Sequence, residues 1–439
     1  MSLPETVGPG DNRPRVIVVG GGFAGLAAVK ALRHAPVQIL LIDRRNHHVF
    51  QPLLYQVATA MLPPGDIAVP IREVIRRQPN AIVAMGEVTG VDPVRRHIQA
   101  SAPDRGETTL PYDYLVLATG VEQSYFGHDE FAPYAPGLKS IEDAEAIRSK
   151  LLRAYETAET EENPASHRDL LTMVLVGAGP TGVELAGAIV QMAKLTLKAD
   201  FRRVDPSSTR VVLLDNGPRI LAGFSEDLSR KAHARLTAMG VEIHTGAHVD
   251  QVDDTGVVVG GQRIASRTVL WTAGVRPSPA GRWLGAETDR AGRARVQPDL
   301  SVAGRPEVFV VGDTAAVERD GRPLPGVAQV AMQQGRYVGR LIAGRVAGRP
   351  APAPFKYFDK GNMAVIGRSF AILESGRLRL SGFPGWAAWA FIHLAYLPQA
   401  EHRASVILEW GWNYLTGRQS SRLILDPHAP TAAAVGSNP

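Results

Sequence analysis

Two segments of this sequence carry glycines at a spacing that lets a phosphate approach the backbone. In the first, the apolar run at 16–19 leads into GGGFAG at 20–25, and an apolar helical pattern follows. Glycines at the first, third and sixth positions form a tight turn and place a pyrophosphate at the N-terminus of the next helix. The following apolar run ends in Asp43, where a carboxylate commonly meets an adenosine ribose. This order of strand, turn, helix, strand and acid predicts a dinucleotide-binding site.

The same arrangement recurs in the middle of the chain. GAGPTG at 177–182 follows the apolar run at 173–176, and a later apolar run at 211–214 ends in Asp215. A carboxylate at that position accepts both ribose hydroxyls and repels a 2′-phosphate, which favours NADH over NADPH. Arg219 lies nearby and weakens this preference. A solvated carboxylate at the end of a strand is the alternative interpretation of Asp215.

Two dinucleotide sites in one chain predict one bound flavin dinucleotide, FAD, and one exchanging nicotinamide dinucleotide, NADH. Three further apolar strands support this prediction, since they end at Thr119 and Gly120, at Gly274 and at Asp313. Asp313 is a candidate to bind the ribitol region of the flavin, and it would have to return to the first domain from far downstream. The flavin domain is therefore expected to be discontinuous. An ordinary helix N-cap is the alternative role of Asp313, and the two roles are compatible.

Composition narrows the possible chemistry. The 439 residues are enough for two to three domains, and 45% hydrophobic with 21% charged residues is typical of a globular protein. The absence of cysteine excludes disulfides, cysteine-ligated metals and thiol nucleophiles. The histidines lack metal-ligand spacing, so no metal site is expected. A net charge of +5 suits an anionic lipid surface, but is too slight and too scattered to indicate nucleic-acid binding.

The C-terminal region is rich in aromatic residues. The segment 383–397 has only His393 as an ionisable residue, yet it is shorter than the about 20 residues that cross a bilayer. A second helical pattern at 406–414 carries further apolar and aromatic residues. Arginines lie beside it: Arg403, Arg418 and Arg422. Both segments suit a position in the membrane interface. Packing on the body of the protein, or a dimer contact, is the alternative use of these aromatic residues.

Longer motifs are more specific than the glycines. They are HHVFQPLLYQVAT at 47–59, TGVEQSYFGHDE at 119–130, GAGPTGVELAGAI at 177–189, AQVAMQQG at 328–335 and FKYFDKGNMAVIGR at 355–368, with the tryptophan-rich C-terminus. With them the chain resembles the type II NADH:quinone oxidoreductases, a family of two-dinucleotide-domain flavoproteins. The resemblance implies an α/β fold with two Rossmann-like dinucleotide-binding domains and a C-terminal amphipathic helical membrane-anchoring region. The linker at 398–403 departs from the family pattern, which puts the depth of membrane insertion in doubt.

The resemblance and the residues together give the expected domain boundaries. Residues 13–125 and 291–355 are expected to form the FAD-binding domain, 126–290 the NADH-binding domain, 356–426 the membrane-anchoring region and 427–439 a disordered tail.

The expected site residues follow the same motifs. The FAD-binding residues are expected to be Gly20, Gly21, Gly22, Phe23, Ala24, Gly25, Asp43, Arg44, Val88, Thr119, Gly120, Asp313, Ala328, Gln329 and Lys360. The NADH-binding residues are expected to be Gly177, Gly179, Pro180, Thr181, Gly182, Glu184, Asp215 and Gly274. The quinone-binding residues are expected to be Gln329 and Gln333.

Three of these residues are implied to be catalytic. Lys360 would stabilise the negative charge near N1 and O2 of the reduced flavin, although a solvated turn lysine is the alternative. Glu184 would order the nicotinamide or assist proton delivery, although a glutamate in a first helical turn also favours the helix dipole. Gln329, with Gln333, would meet the quinone head, although the same pattern suits a helix packed tightly on a cofactor.

The resulting hypothesis is hydride transfer from NADH to FAD and two-electron reduction of a membrane quinone, without proton pumping. The alternatives are a soluble reductase of a ferredoxin-like carrier and an NADH sensor similar to apoptosis-inducing factor. Cysteine-dependent disulfide reductases and sulfide:quinone oxidoreductases are excluded by composition. No secretory signal is visible, so we expect a peripheral protein on the cytoplasmic face of the inner (cell) membrane, bound through its C-terminal helices and compatible with a homodimer.

Overall fold

The computed structural model describes residues 12–102 and 106–425. These residues divide into two compact units. The first contains the described residues up to Val49, with Ala68–Glu122 and Val275–Lys360. The second contains Phe50–Ile67, Gln123–Gly274 and the described residues from Gly361 onward. The expected disordered tail at 427–439 lies outside the described residues.

The strands are, in chain order, β1 Arg15–Val19, β2 Gln38–Asp43, β3 His47–Val49, β4 Ala68–Pro70, β5 Ala81–Met85, β6 Glu87–Asp92, β7 His97–Ala102, β8 Gly106–Pro111, β9 Tyr114–Leu117, β10 Val121–Gln123, β11 Thr172–Val176, β12 Arg210–Asp215, β13 Val241–Thr245, β14 Val249–Asp253, β15 Gly256–Val259, β16 Gln262–Ala265, β17 Thr268–Trp271, β18 Val275–Pro277, β19 Ala294–Arg295, β20 Ser301–Val302, β21 Arg305–Val310, β22 Ala315–Ala316, β23 Glu318–Arg319, β24 Arg322–Pro323, β25 Asn362–Val365, β26 Ala371–Ser375 and β27 Leu378–Gly382.

The α-helices are α1 Phe23–Ala31, α2 Leu54–Ala58, α3 Ile71–Val74, α4 Ile141–Thr160, α5 Pro164–Leu170, α6 Pro180–Gln191, α7 Glu226–Met239, α8 Ala280–Leu284, α9 Ala328–Val346, α10 Phe383–Tyr396 and α11 Ala400–Thr416. Short 3-10 turns cover Gln51–Leu53, Pro64–Asp66, Asp129–Phe131, Pro206–Ser208 and Gly312–Thr314, and a π-turn covers Met192–Thr196.

The first unit is built on a six-stranded sheet in the order β20-β21-β9-β1-β2-β5. All neighbours pair in parallel except β20, which pairs antiparallel to β21 at the edge. A parallel sheet covered on both faces needs continuous apolar strands, which is why the run at 16–19 is buried. The helices α1 and α9 cover one face, and the antiparallel sheet β6-β7-β8 covers the other. Because the strands are parallel, the turns after β1, β9 and β21 lie at one edge.

Glycines on α9 allow its close approach to α1. A Cβ atom on Gly335 would lie 2.0 Å from the carbonyl oxygen of Ala24, and one on Gly339 would lie 2.6 Å from that of Ala28. Real Cβ atoms do not make such contacts with a backbone oxygen, so only glycine permits this packing. The contact ties the downstream segment to the first glycine loop and makes the first unit discontinuous in sequence, as expected for the flavin domain.

The second unit repeats the architecture with a four-stranded parallel sheet in the order β13-β12-β11-β17. The antiparallel sheet β14-β15-β16 shares a core with its strands through Val212, Val257 and Trp271. The helix α4 begins with a capping box, in which Ser140 and Asp143 exchange side-chain to backbone hydrogen bonds.

The segment 50–67 belongs to the second unit, whereas the sequence groups it with the first FAD-binding segment. Its helix α2 packs against α4 and α6, both of which lie in the second unit. The apolar side chains of α2, among them Leu54 and Val57, are buried in these contacts. Packing of an insertion on a distant helix leaves no local pattern in the sequence.

The C-terminal part of the second unit consists of the antiparallel sheet β25-β26-β27 and the helices α10 and α11. The helix α10 packs on this sheet and buries Trp389, and α11 buries Val406. Arg403 donates to the carbonyl oxygen of Leu397 and closes the link between the helices. Within residues 12–102 and 106–425, no helix combines the length and the apolar character that crossing a bilayer requires.

Candidate active site

The first glycine loop has the shape of a phosphate cradle. Gly20 has a φ of +103° and donates to the carbonyl oxygen of Ile42 at 2.8 Å, which holds the turn between β1 and α1 against the end of β2. A Cβ on Gly25 would lie 1.8 Å from the carbonyl oxygen of Gly20, so only glycine fits at this position in the first turn of α1. A Cβ on Gly22 would meet nothing within 4 Å. The loop therefore leaves open space at its middle glycine, where the backbone of a dinucleotide-binding loop approaches a pyrophosphate.

Side chains on the same unit hold this loop. Asp43 accepts hydrogen bonds from the amides of Gly21 at 2.6 Å and Arg45 at 2.7 Å. Nδ1 of His48 lies 3.1 Å from the carbonyl oxygen of Gly21. Burial lowers the pKa of His48 to about 4, so its ring is neutral at pH 7 and Nδ1 donates to this carbonyl. The ring of Phe23 contacts that of His48 edge-on. His48 was missed as a supporting residue because its contact depends on β3 lying beside the loop.

Three hydroxyl groups meet where β9 and β21 end. Thr314 donates to the carbonyl oxygen of Gly120 at 2.6 Å, and its oxygen lies 3.3 Å from that of Ser278. The hydroxyl groups of Thr119 and Ser278 are also hydrogen bonded. Thr119 and Gly120 were predicted as site residues, and Ser278 and Thr314 were not. The position of Thr314 beside Asp313 is the sequence signal that could have found it.

Asp313 lies at the start of the turn that follows β21. It is half-buried, and a Cβ on Gly326 would lie 3.3 Å from its carboxyl carbon. The amide of Gly312 donates to the side-chain oxygen of the buried Gln334 at 2.6 Å, which ties this turn to α9. The fold therefore brings Asp313 to the sheet edge that also holds Gly20 and Gly120.

The remaining predicted FAD residues differ in their surroundings. Arg44 is exposed and pairs with Glu122 at 3.5 Å. Val88 is buried on β6 opposite Ala100 and belongs to the hydrophobic core of the first unit. Ala24 lies in α1 against α9, and Ala328 begins α9.

The second glycine loop repeats the geometry of the first within the second unit. Gly177 has a φ of +106° and donates to the carbonyl oxygen of Leu214 at 2.7 Å. A Cβ on Gly182 would lie 1.9 Å from the carbonyl oxygen of Gly177, whereas one on Gly179 would meet nothing within 4 Å. Pro180 and Thr181 form the first turn of α6 beyond this glycine. The open space at Gly179 corresponds to that at Gly22, so both loops fit a dinucleotide.

The acid beside the second loop is also held by the backbone. Asp215 accepts from the amides of Ala178 at 2.5 Å and Gly217 at 2.7 Å. The guanidinium group of Arg219 donates to the carbonyl oxygens of Leu221, Ala222 and Phe224. The guanidinium group of Arg219 is therefore engaged by its own loop.

Gly274 and Glu184 lie on two further elements of the second unit. Gln123 donates to the carbonyl oxygens of Ala273 and Gly274 at 2.7 and 2.8 Å, which fixes the end of β17. The carboxylate of Glu184 on α6 accepts from the amide of Val365 at 3.3 Å. Burial raises the pKa of Glu184 to about 8, against the opposing effect of this hydrogen bond. A carboxyl group that is neutral at pH 7 does not stabilise a helix dipole, so the dipole alone does not account for Glu184.

The two residues expected to bind quinone, Gln329 and Gln333, lie in the first unit with Lys360, which is expected to bind FAD. The side-chain oxygen of Gln329 accepts from the backbone amide of Lys360 at 3.2 Å. The amide group of Gln333 donates to the carbonyl of Phe358 at 2.9 Å and accepts from its N–H at 3.0 Å. Gln333 therefore anchors the segment that carries Lys360, and the side chain of Lys360 is exposed.

Comparisons with known proteins agree with this geometry. A family model described as pyridine nucleotide-disulphide oxidoreductase matches residues 14–335. The type II NADH:quinone oxidoreductase Ndh of Mycobacterium tuberculosis is 46% identical over 428 residues, which cover 95% of this chain and 91% of the relative. The type II NADH:quinone oxidoreductase NdhA of the same organism is 44% identical over 435 residues, which cover 96% of this chain and 91% of the relative.

The fold also matches a solved structure. The structure of NDH2 from Plasmodium falciparum in complex with NADH superimposes with a TM-score of 0.85 and 17% sequence identity. The match covers 94% of this chain and 100% of that one. At this identity the match shows the fold alone, which is the α/β dinucleotide-binding flavoprotein fold.

Proposed function

Because the chain belongs to the type II NADH:quinone oxidoreductase family, we propose that it oxidises NADH with bound FAD and reduces a quinone, without proton pumping. The repeated glycine loop carries this proposal, since each unit has its own open cradle and its own backbone-held acid. When bound, FAD would supply the hydride acceptor and the two-electron donor to the quinone. The family expected from the motifs is confirmed, and FAD and NADH are its cofactors.

We place FAD on the first unit and NADH on the second. The first loop at 20–25 would hold the FAD pyrophosphate, with Asp43 on the adenosine ribose and Asp313 on the ribitol region. The second loop at 177–182 would hold the NADH pyrophosphate, with Asp215 on its ribose. Asp215 repels a 2′-phosphate, so NADH is preferred to NADPH.

Two ionisable groups complete the proposed chemistry of these residues. Lys360 provides a fixed positive charge that stabilises negative charge on the flavin ring. Glu184 holds a proton at neutral pH because its pKa is raised to about 8. Gln329 holds the backbone at Lys360, and Gln333 holds it at Phe358, so both glutamines set the position of the lysine-bearing segment.

The C-terminal helices are proposed to bind the membrane surface. Phe391 on α10 and Leu408 and Leu415 on α11 are 73%, 72% and 83% exposed. A helix with exposed aliphatic and aromatic residues and no long apolar span suits a position in the interface plane. The quinone would then reach the protein from the lipid, on the cytoplasmic face of the cell membrane. A second copy of the chain is the competing occupant of these residues, since a homodimer would also cover them.

Leu408→Glu together with Leu415→Glu is expected to release the protein from vesicles of anionic lipid, with at least a tenfold loss of bound fraction. Burying a carboxylate in the interface is unfavourable, and like charges on the lipid repel it. Sedimentation with the vesicles measures the effect. Substitution is preferable to deletion of the tail because Trp389 and Val406 are buried and their loss would open the core.

Val94→Glu is the matched control for this pair. Val94 is 82% exposed in the first unit, so the substitution adds one carboxylate, as each leucine substitution does, at a comparable exposure. It should leave sedimentation unchanged. If the double variant still sediments with the vesicles, these leucines do not contact lipid. If it remains in solution but changes from dimer to monomer, the exposed leucines form an interface between copies.

An anaerobic titration of the purified protein tests the proposed function directly. NADH should bleach the flavin spectrum much faster than NADPH, and menadione should then restore the oxidised spectrum completely. A flavin that bleaches but is not reoxidised by menadione would indicate a protein acceptor of the ferredoxin class. A flavin that NADH does not bleach would indicate a sensor rather than an enzyme.

A further inference from the structure

A row of hydrogen-bonded side chains joins the C-terminal helix α11 to α2. The indole N–H of Trp410 donates to the side-chain oxygen of Gln56 at 2.7 Å. The side-chain nitrogen of Gln56 donates to the hydroxyl oxygen of Tyr55 at 2.8 Å. Tyr55 and Gln56 are 5% and 2% exposed, so water does not compete for these groups. A buried polar row of this kind determines the direction of each of its hydrogen bonds.

Trp410 sets the direction of the whole row. An indole N–H can only donate, so the group of Gln56 that faces it must be the carbonyl oxygen. The amide nitrogen of Gln56 then faces Tyr55 and donates to its oxygen. Because this occupies the phenol as an acceptor, the O–H proton of Tyr55 must be directed away from Gln56.

No side chain or backbone oxygen in the described part of the chain accepts that proton from Tyr55. Burial and the charge of Glu184 raise the pKa of Tyr55 well above its usual value, so the phenol keeps its proton at every working pH. The helix α2 packs against α6, which carries Glu184. The structure thus has a buried, permanently protonated donor beside the proposed proton-holding residue.

We propose that the hydroxyl of Tyr55 donates a hydrogen bond to a carbonyl oxygen of the bound quinone, with Gln56 and Trp410 as positioning residues. This inference rests on the proposed function. A donor on a carbonyl oxygen stabilises the negative charge that develops there as electrons arrive.

The nicotinamide carboxamide and the quinone both offer a carbonyl oxygen that could accept from Tyr55. The helix on which the row of hydrogen bonds begins favours the quinone as this acceptor. Trp410 belongs to α11, whose exposed residues include the apolar Leu408 and Leu415. A quinone is an apolar ring whose polar atoms are its carbonyl oxygens, so a buried hydroxyl donor connected to a helix with exposed apolar residues matches it.

Tyr55→Phe and Trp410→Phe test the proposal in the holoenzyme. Each is expected to lower kcat/KM for menadione about tenfold, and the double variant should lose no more than either alone, because both remove one hydrogen bond. The rate of flavin bleaching by NADH should be unchanged, as should reduction of ferricyanide, an outer-sphere acceptor without a carbonyl oxygen. Fluorescence quenching measures the binding of menadione to the oxidised holoenzyme. This binding should weaken about tenfold in Tyr55→Phe.

Two further variants sharpen the test. Gln56→Glu keeps the phenol but offers it an acceptor, because a carboxylate accepts from both Trp410 and Tyr55, so it should behave like Tyr55→Phe. Trp283→Phe is the control, since Trp283 lies on α8 in the first unit and its indole N–H has no hydrogen bond among the described residues. It should leave all four measurements unchanged.

The outcomes separate the inference from the proposed function. If Tyr55→Phe and Trp410→Phe both reduce menadione as fast as the wild type, the inference is wrong. Slower bleaching by NADH with normal reoxidation would indicate that Tyr55 donates to the nicotinamide, and this result would also contradict the inference. If one variant does not retain flavin, the other carries the test. A wild-type protein whose reduced flavin ignores menadione would contradict the proposed function instead.

Discussion

Glu184→Gln is expected to slow NADH-to-quinone turnover by about 100-fold while FAD stays bound, the lower end of what proton transfer by a positioned side chain contributes. NADH delivers one hydride, whereas a quinol carries two added hydrogens, so each turnover takes up one further proton. The Glu184 carboxyl holds a proton at neutral pH because burial raises its pKa to about 8. Glutamine keeps the shape and still accepts from the amide of Val365, but it has no acidic proton to give.

The pH profile distinguishes a proton-donating role from a packing role. Wild-type turnover should fall as the pH rises above about 8, where Glu184 loses its proton, and the Gln variant should show no such fall. Steady-state rates between pH 6 and 10 with saturating NADH and menadione measure this. Glu226→Gln is the control, because Glu226 is an exposed glutamate in the first turn of α7 and tests the helix dipole alone. Unchanged kinetics in Glu184→Gln would remove any catalytic role.

The same pKa shift makes the stability of the folded protein depend on pH. The folded-state pKa of Glu184, about 8, lies above its ordinary value of 4.5, so the folded protein binds this proton more tightly than the unfolded chain does. The contribution of Glu184 is complete below pH 4.5 and is lost progressively as the pH rises to about 8. In thermal unfolding, the Tm of the wild type should therefore fall relative to that of the Gln variant as the pH rises across this interval. This difference does not depend on the activity of the variant.

Gly22→Ala is expected to weaken FAD binding by about 100-fold and to leave the fold intact. Gly22 has a φ of −75°, which alanine adopts freely, and its added Cβ would meet no atom of the protein within 4 Å. The methyl group would stand in the space that we assign to the pyrophosphate, and an overpacked contact costs about 1–3 kcal/mol. Flavin absorbance per protein after gel filtration, with circular dichroism of the same sample, measures the two quantities separately.

Substitutions at two other glycines are the controls for this prediction. Gly344→Ala lies within α9 with nothing near its added Cβ, so it should keep both flavin and fold. Gly25→Ala would place its Cβ 1.8 Å from the carbonyl oxygen of Gly20, so it should lose the fold together with the flavin. A Gly22→Ala protein that keeps its flavin at wild-type affinity would show that this loop does not cradle the pyrophosphate.

The sequence by itself determined both dinucleotide loops, their acids and the family. These features depend on backbone geometry over a few residues: a positive φ at Gly20 and Gly177, a close approach at Gly25 and Gly182. Each such requirement selects one residue type at one position, so it is written directly in the sequence. The strand ends at Gly120, Gly274 and Asp313 could be placed for a related reason, since the parallel strands of each sheet bring their turns to one edge of that sheet.

Tertiary structure alone decided how the residues between these motifs are used. The segment 50–67 packs on α4 and α6, which brings Tyr55 beside Glu184 and Gln56 to the indole of Trp410. The amide of Gln333 is engaged by Phe358, and the acidity of Glu184 depends on its burial. Such contacts join residues far apart in the chain, and their energies come from desolvation and hydrogen-bond direction. Neither quantity exists until the elements have packed, so no local pattern of residue types could encode it.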